Sequence, residues 1–152
     1  MVNPTAPNAG AINATAINPR LDRYFESDVL SADPVKLVTL LYRAAREAVS
    51  AAGIALAAGN IPDRSKHILK AWEIVNELGG SLNHEVGGDI SRQLAELYAY
   101  VGQRLLDANA EQSQKALEEA AAVITILAEA WQGVQAKQHA ENADAAPLVV
   151  AC

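Results

Sequence analysis

Four stretches of the chain repeat apolar residues every three or four positions, the spacing that places them on one face of an α-helix. The first stretch has two adjacent rows of such positions: Leu37, Leu41, Ala44, Ala48 and Ala55, and Val38, Tyr42, Ala45, Val49, Ala52 and Leu56. The second stretch has Ile68, Ala71, Val75, Leu78 and Leu82, and the third has Ile90, Leu94, Leu97, Val101 and Leu105. The fourth has Leu117, Ala120, Ile124, Leu127, Trp131 and Val134. Hydrophobic residues make up 51% of the 152 positions but aromatic residues only 5%. Rich in alanine, this composition favours helices.

Residues that start and stop helices separate the four stretches. Ser31 to Asp33 supply capping side chains ahead of Pro34, and Gly59 with Asn60 suits a helix end. The predicted helices run from Pro34 to Gly59, from Pro62 or Asp63 to Leu82, from Gly87 to Asn109 and from near Ser113 to about residue 135. Because the connections are short, neighbouring helices must be antiparallel. The sequence therefore predicts an all-α, up-down four-helix bundle.

The two ends of the chain differ from this body. Residues 1–16 contain small residues, asparagine and proline without charge, so we predict a disordered N-terminal extension. The bundle domain is expected over 17–135. We predict a flexible tail over 136–152, with Pro147 blocking helix propagation. Ile17, Leu21, Tyr24 and Phe25 fall on one side of a short helix that is too short to be stable alone and either caps the bundle or frays.

Charge and cysteine content restrict the partners and the compartment. The net charge of -6 argues against nucleic acid and against anionic membranes as partners. The only cysteine, Cys152, leaves no intramolecular disulfide, as expected in a reducing compartment. No signal peptide and no uninterrupted apolar span are recognisable, so we expect a cytoplasmic protein without membrane insertion.

No residue pattern points to catalysis. His67, His84 and His139 lack the helical spacing of metal ligands, so we predict no metal. The glycine pairs at 79–80 and 87–88 lack the lysine and the strand of a phosphate loop and are interpreted as connections between helices. We therefore predict no catalytic residue, no cofactor and no enzymatic activity.

Several large apolar residues lie off the main helical faces. They are Leu69, Trp72, Ile74, Tyr98, Tyr100 and Leu106. Two interpretations remain open: they widen the apolar face that a bundle needs, or several of them line an outer groove for an amphipathic helix.

Five strings occur in a characteristic order: LSADPVKLVTLLY at 30–42, KAWEIVNEL at 70–78, GGDIS at 87–91, LAELYAYVGQRLLDAN at 94–109 and EAW at 129–131. Together they make the region 17–135 resemble the flagellar secretion chaperone family FliS. The resemblance implies a helical bundle that binds the disordered C-terminal segment of flagellin, prevents premature polymerisation and contacts a component of the flagellar export gate. It also implies an N-terminal segment that packs on the bundle and is displaced by flagellin.

On this basis we expect Ile17, Leu21, Tyr24 and Phe25 to form a lid over the partner site. The predicted partner-binding groove consists of Leu69, Trp72, Leu97, Tyr98 and Val101. The alternative is a helical adaptor or regulatory module that associates with itself, for example as a homodimer, and has no flagellin client.

Overall fold

The computed structural model describes residues 34–151, with side chains placed through residue 143. It consists of α1 (Pro34–Ala57), α2 (Ile61–Gly80), α3 (His84–Gly87), α4 (Asp89–Glu111) and α5 (Gln114–Ala151). The predicted extension over 1–16 and the lid residues Ile17, Leu21, Tyr24 and Phe25 lie outside the described residues. The all-α prediction is confirmed, and the short helix α3 is an element that the sequence did not indicate.

The four long helices form a closed ring in which α1 packs on α2, α2 on α4, α4 on α5 and α5 on α1. The direction of packing follows from two contacts between α2 and α4. Arg64, near the start of α2, bonds to Asn109 at the end of α4, whereas Gly79, near the end of α2, faces the ring of Tyr98. The helices are therefore antiparallel, which confirms the predicted bundle.

Turn chemistry explains where the helices begin and end. Gly59 has a φ of 71°, which a side chain would strain, and it ends α1 as predicted. The side chain of Asn60 accepts a hydrogen bond from the backbone N–H of Asp63 at 3.1 Å and thereby caps α2. Between α3 and α4, Gly88 has a φ of 55°. The second glycine pair is a helix connection, as interpreted from the sequence.

A core of buried side chains occupies the centre of the ring. Its large fully buried members are Leu40, Leu41, Ile68, Ile74, Leu105, Leu117, Val75 and Val101. Ile74 therefore belongs to the core and not to an outer groove. Buried alanines on α1 and α5, such as Ala45 and Ala120, also belong to the core. Because their side chains are small, they allow the helices to approach closely.

The predicted inward face is wrong in part for α4 and at the end of the fourth helix. Ile90 is 69% exposed, Leu97 39% and Val134 51%. The inward face of α4 carries Ser91, Tyr98, Val101, Gly102, Leu105 and Ala108. Because two of these residues are a serine and a glycine, counting apolar side chains alone shifts the predicted face around the helix.

A buried arginine fixes the end of the bundle where α2 begins. Arg64 is only 6% exposed, and its guanidinium donates to the side-chain and backbone oxygens of Asn109, each at 3.3 Å. Ser65 also donates to the side-chain oxygen of Asn109 at 2.9 Å. A cation at the last turn of α4 meets the negative end of that helix dipole. No pattern in the sequence predicts this cluster.

The last helix is longer than the sequence indicates. Helix α5 continues to Ala151 and includes Pro147, so its predicted end near residue 135 is wrong. Proline removes one hydrogen bond inside a helix, but the residues before it are mostly alanine, glutamine, glutamate and lysine, which favour helix. All side chains of 136–143 are exposed. This part of the helix therefore has little support from packing, and the predicted flexibility of 136–152 stays a prediction.

Of the helices within residues 34–151, none combines the length and the apolar character needed to cross a bilayer. The same part of the chain contains no cluster of histidine, cysteine, aspartate or glutamate that could hold a metal ion.

Candidate helix-binding groove

An open cleft of about 1280 Å³ lies between α1 and α5. Its residues on α1 are Thr39, Tyr42, Arg43, Arg46, Glu47, Val49, Ser50, Ala51, Gly53, Ile54 and Ala57; those on α5 are Gln114, Leu117, Glu118, Ala121, Thr125, Ala128, Trp131 and Gln132. The volume exceeds the roughly 300–1,000 Å³ of typical small-molecule sites. We call this cleft the α1/α5 groove.

Two rows of residues follow the α1/α5 groove along its length. The α1 row is Thr39, Tyr42, Arg46, Val49, Gly53 and Ala57, and the α5 row is Gln114, Glu118, Ala121, Thr125, Ala128 and Gln132. Both rows follow the spacing of three and four residues that keeps side chains on one helix face. At 1.5 Å per residue, the α1 row is about 27 Å long, the length of a helix of about 18 residues.

Small side chains keep the α1/α5 groove open. The α5 row carries Ala121, Thr125 and Ala128 where leucine or phenylalanine would fill the space. The α1 row carries Gly53, whose nearest side-chain neighbour across the groove is the amide of Gln114. Buried Val49 and Leu117 provide an apolar floor. The groove is therefore apolar at its base, and short side chains occupy the middle of the α5 row.

One end of the α1/α5 groove is closed by hydrogen bonds between α5 and the first turns of α1. The indole N–H of Trp131 lies 3.1 Å from the hydroxyl oxygen of Thr39 and 3.1 Å from the carbonyl oxygen of Val35. The Thr39 hydroxyl is also 3.1 Å from the side-chain oxygen of Gln135. These bonds tie the first and last helices together where the chain enters α1.

Tyr42 connects the floor of the groove with the opposite side of the bundle. Its hydroxyl is 2.6 Å from that of Tyr98 on α4, and both side chains are buried. Burial raises the pKa of the Tyr42 phenol. Burial also raises the pKa of Tyr98, and its hydrogen bond to Tyr42 raises it further. Both hydroxyls therefore stay neutral, and each is the partner that the other needs inside the core.

Replacing Tyr98 by phenylalanine is expected to lower the free energy of unfolding by about 1–2 kcal/mol, because the Tyr42 hydroxyl loses its buried partner. Urea denaturation of the single variants and of Tyr42→Phe/Tyr98→Phe measures this effect. The double variant leaves no buried hydroxyl unpaired, so its loss should be smaller than the sum of the two single losses. Strictly additive losses would contradict a direct interaction between the hydroxyls.

The five residues predicted to form the groove do not line the α1/α5 groove. Val101 and Tyr98 lie in the core, 0% and 8% exposed. Leu69 on α2 and Leu97 on α4 are exposed. Trp72 is half-buried, and its indole packs beside Gly102 of α4. A binding role for any of the five residues stays a prediction.

The sequence did contain a signal for the α1/α5 groove. Alanine, threonine and glycine recur at helical spacing on the edge of the two apolar faces, beside residues that do become buried. The signal can be recognised only when the first helix is known to pack against the last. Residues in α1 and α5 are far apart in sequence, and only the closed ring brings the two rows together.

The fold and the groove define a helical bundle that offers a helix-sized cleft along one edge. Comparison with known proteins gives a match to the family model described as Flagellar protein FliS over residues 16–138. The flagellar secretion chaperone FliS of Salmonella typhimurium is 36% identical over 113 residues, which cover 74% of this chain and 84% of the relative. That of Bacillus subtilis is 26% identical over 116 residues, covering 76% and 86%.

A further relative is the flagellar secretion chaperone FliSB of Pseudomonas aeruginosa, 31% identical over 109 residues that cover 72% of this chain and 86% of the relative. The chain belongs to the FliS family. The family resemblance expected from the five strings is thereby confirmed. FliS proteins are chaperones and not enzymes, which confirms the prediction of a non-enzymatic protein.

Proposed function

We propose that this protein is a cytoplasmic export chaperone that binds the C-terminal helical segment of flagellin in the α1/α5 groove. Occupation of the groove shields the assembly-prone end of the client, prevents premature polymerisation and presents the client to a component of the flagellar export gate. The observation that carries this proposal is the groove itself, a 27 Å cleft with an apolar floor in a member of the FliS family.

The physical basis of binding is the burial of apolar surface by a helix that forms in the groove. Floor residues Val49 and Leu117 and the small side chains Ala121 and Ala128 would contact the apolar face of such a helix. The polar face would stay in water beside the exposed rim residues Ser50 and Gln132. A disordered client loses conformational entropy when it folds on its partner, so the affinity per buried area is lower than for two rigid partners.

The proposed lid can reach the groove. Residues 26–33 join Phe25 to the start of α1, and eight extended residues span up to about 27 Å. The start of α1 lies beside Trp131, at the closed end of the groove. Ile17, Leu21, Tyr24 and Phe25 would then cover the apolar floor until a client displaces them.

A second surface, separate from the α1/α5 groove, supports the alternative of a self-associating adaptor. Ile90 and Leu97 on α4 and Ile126 and Val134 on α5 are exposed, between 39% and 69%. Helices α4 and α5 are neighbours, so these side chains add apolar character to the same side of the bundle. A homodimer that buries this surface is compatible with an open α1/α5 groove.

The proposal is tested by titrating the purified full-length protein with a C-terminal peptide of the flagellin encoded in the same genome. We expect a dissociation constant below about 10 μM together with an increase in helicity, because the peptide folds when it binds. Isothermal calorimetry and circular dichroism measure the two quantities. A peptide of the same composition in scrambled order is the control. No heat change at tens of micromolar would reject flagellin as the client.

The lid is tested in the same titration with Leu21→Asp/Phe25→Asp. These substitutions weaken an apolar competitor of the client, so a severalfold higher affinity is expected. Unchanged affinity in this variant would reject the lid and leave the client assignment intact. Light scattering of the unliganded protein separates the self-associating alternative, which requires a dimer without any peptide.

A further inference from the structure

One charged residue lies in each of the two rows that follow the α1/α5 groove. In the α1 row, Arg46 stands between Tyr42 and Val49, and in the α5 row Glu118 stands between Gln114 and Ala121. The other members of both rows are apolar or uncharged. Arg46 and Glu118 therefore face an occupant of the groove from opposite sides, each from within the row that contacts it.

Contacts across the groove give the spacing of these two charges along it. Gly53 of α1 lies level with Gln114 of α5, and Thr39 lies level with Trp131. In antiparallel helices this register places Glu118 near the level of Ser50, one turn from Arg46. The two charges are therefore separated by about 6 Å along the groove and by its full width across it.

Both side chains are available to a partner. Arg46 and Glu118 are exposed. Neither takes part in a salt bridge with any residue of the part of the chain that the structure describes. Arg43 and Glu47 also border the cleft, one turn apart on α1, but they lie outside the α1 row and carry opposite charges.

We propose that the occupant of the α1/α5 groove is an amphipathic helix that places a carboxylate against Arg46 and a basic side chain against Glu118. This inference rests on the proposed function and specifies the chemistry of the client helix. The apolar floor accepts any apolar helix face, whereas the two charges accept only one arrangement of charge across the client. They consequently set the position and direction of the client, because a reversed helix brings like charges together.

The test uses the flagellin C-terminal peptide and the full-length protein with Arg46→Glu, Glu118→Lys and, as matched control, Lys66→Glu. Lys66 is exposed on α2, outside the groove, and its substitution changes the net charge as Arg46→Glu does. We expect Arg46→Glu and Glu118→Lys to weaken binding about fivefold to tenfold at low ionic strength, and less in high salt, while Lys66→Glu changes it less than twofold.

A second measurement identifies the charged partner on the peptide. Each acidic residue of the peptide is replaced by lysine, and one such peptide is expected to bind Arg46→Glu more tightly than it binds the unsubstituted protein. Circular dichroism of each variant verifies that the bundle is folded. If the unsubstituted protein fails to bind the peptide, the proposed function is rejected. If it binds, but Arg46→Glu and Glu118→Lys behave like Lys66→Glu, the charge arrangement is rejected and the function stands.

Discussion

Replacing Leu105 by alanine is expected to lower the free energy of unfolding by about 3–4 kcal/mol. Leu105 is fully buried in the core of the ring. Removing its isobutyl group forfeits the free energy of burying it and leaves a cavity that closes only in part, a combination that costs roughly 2–5 kcal/mol at such sites. Because the stability of an entire domain is about 5–15 kcal/mol, this single substitution should remove a large share of it.

The neighbouring residue provides the matched control for this prediction. Leu106 is 42% exposed, so Leu106→Ala makes the same chemical change where no cavity can form. We expect a loss below about 1 kcal/mol for that variant. Urea denaturation followed by circular dichroism gives both values. Equal losses for Leu105→Ala and Leu106→Ala would contradict the orientation of α4 in the bundle.

Replacing Ala121 by tryptophan is expected to weaken binding of the flagellin peptide at least about 100-fold. Ala121 lies in the middle of the α5 row and is half-buried. An indole in its place would occupy the volume that the client helix needs, so the helix could bind only after losing contacts along its middle turns. A loss of about 2.7 kcal/mol of binding free energy corresponds to this factor.

Ala122→Trp adds the same side chain one position further along α5. Ala122 is exposed and does not line the groove, so the peptide should bind this variant within about twofold of the unsubstituted protein. Calorimetric titration compares the two. Equal binding by Ala121→Trp and Ala122→Trp would place the client elsewhere, and the exposed Leu69 and Leu97 would then be the next residues to substitute.

The architecture of the bundle was predictable because several independent signals agree. Pro34 starts α1, Gly59 ends it with a positive φ, and most of the predicted apolar positions of α1 and α2 become buried as their spacing indicates. The orientation of α4 was less predictable. Its inward face includes Ser91 and Gly102, while the apolar Ile90 and Leu97 face outward. Periodicity detects an inward face only where apolar residues dominate it.

The candidate site was harder to predict than the fold. Large apolar residues off the main faces, such as Trp72, suggested a groove, but Trp72 packs against Gly102 inside the α2/α4 contact. The α1/α5 groove is open because Gly53, Ala121 and Ala128 lack bulk. Small side chains are common in any alanine-rich helix, so their meaning depends on which two helices become neighbours. Which helices become neighbours is decided by the packing of α1 on α5, which closes the ring.

The α1/α5 groove joins the first described helix to the last, and the bonds from Trp131 to Val35 and Thr39 bridge more than 90 positions of the chain. During translation, α1, α2 and α4 leave the ribosome before α5 does. A nascent chain that ends at Glu111 therefore possesses three of the four long helices and only one wall of the cleft. Both walls of the cleft are therefore present only after α5 has been synthesised.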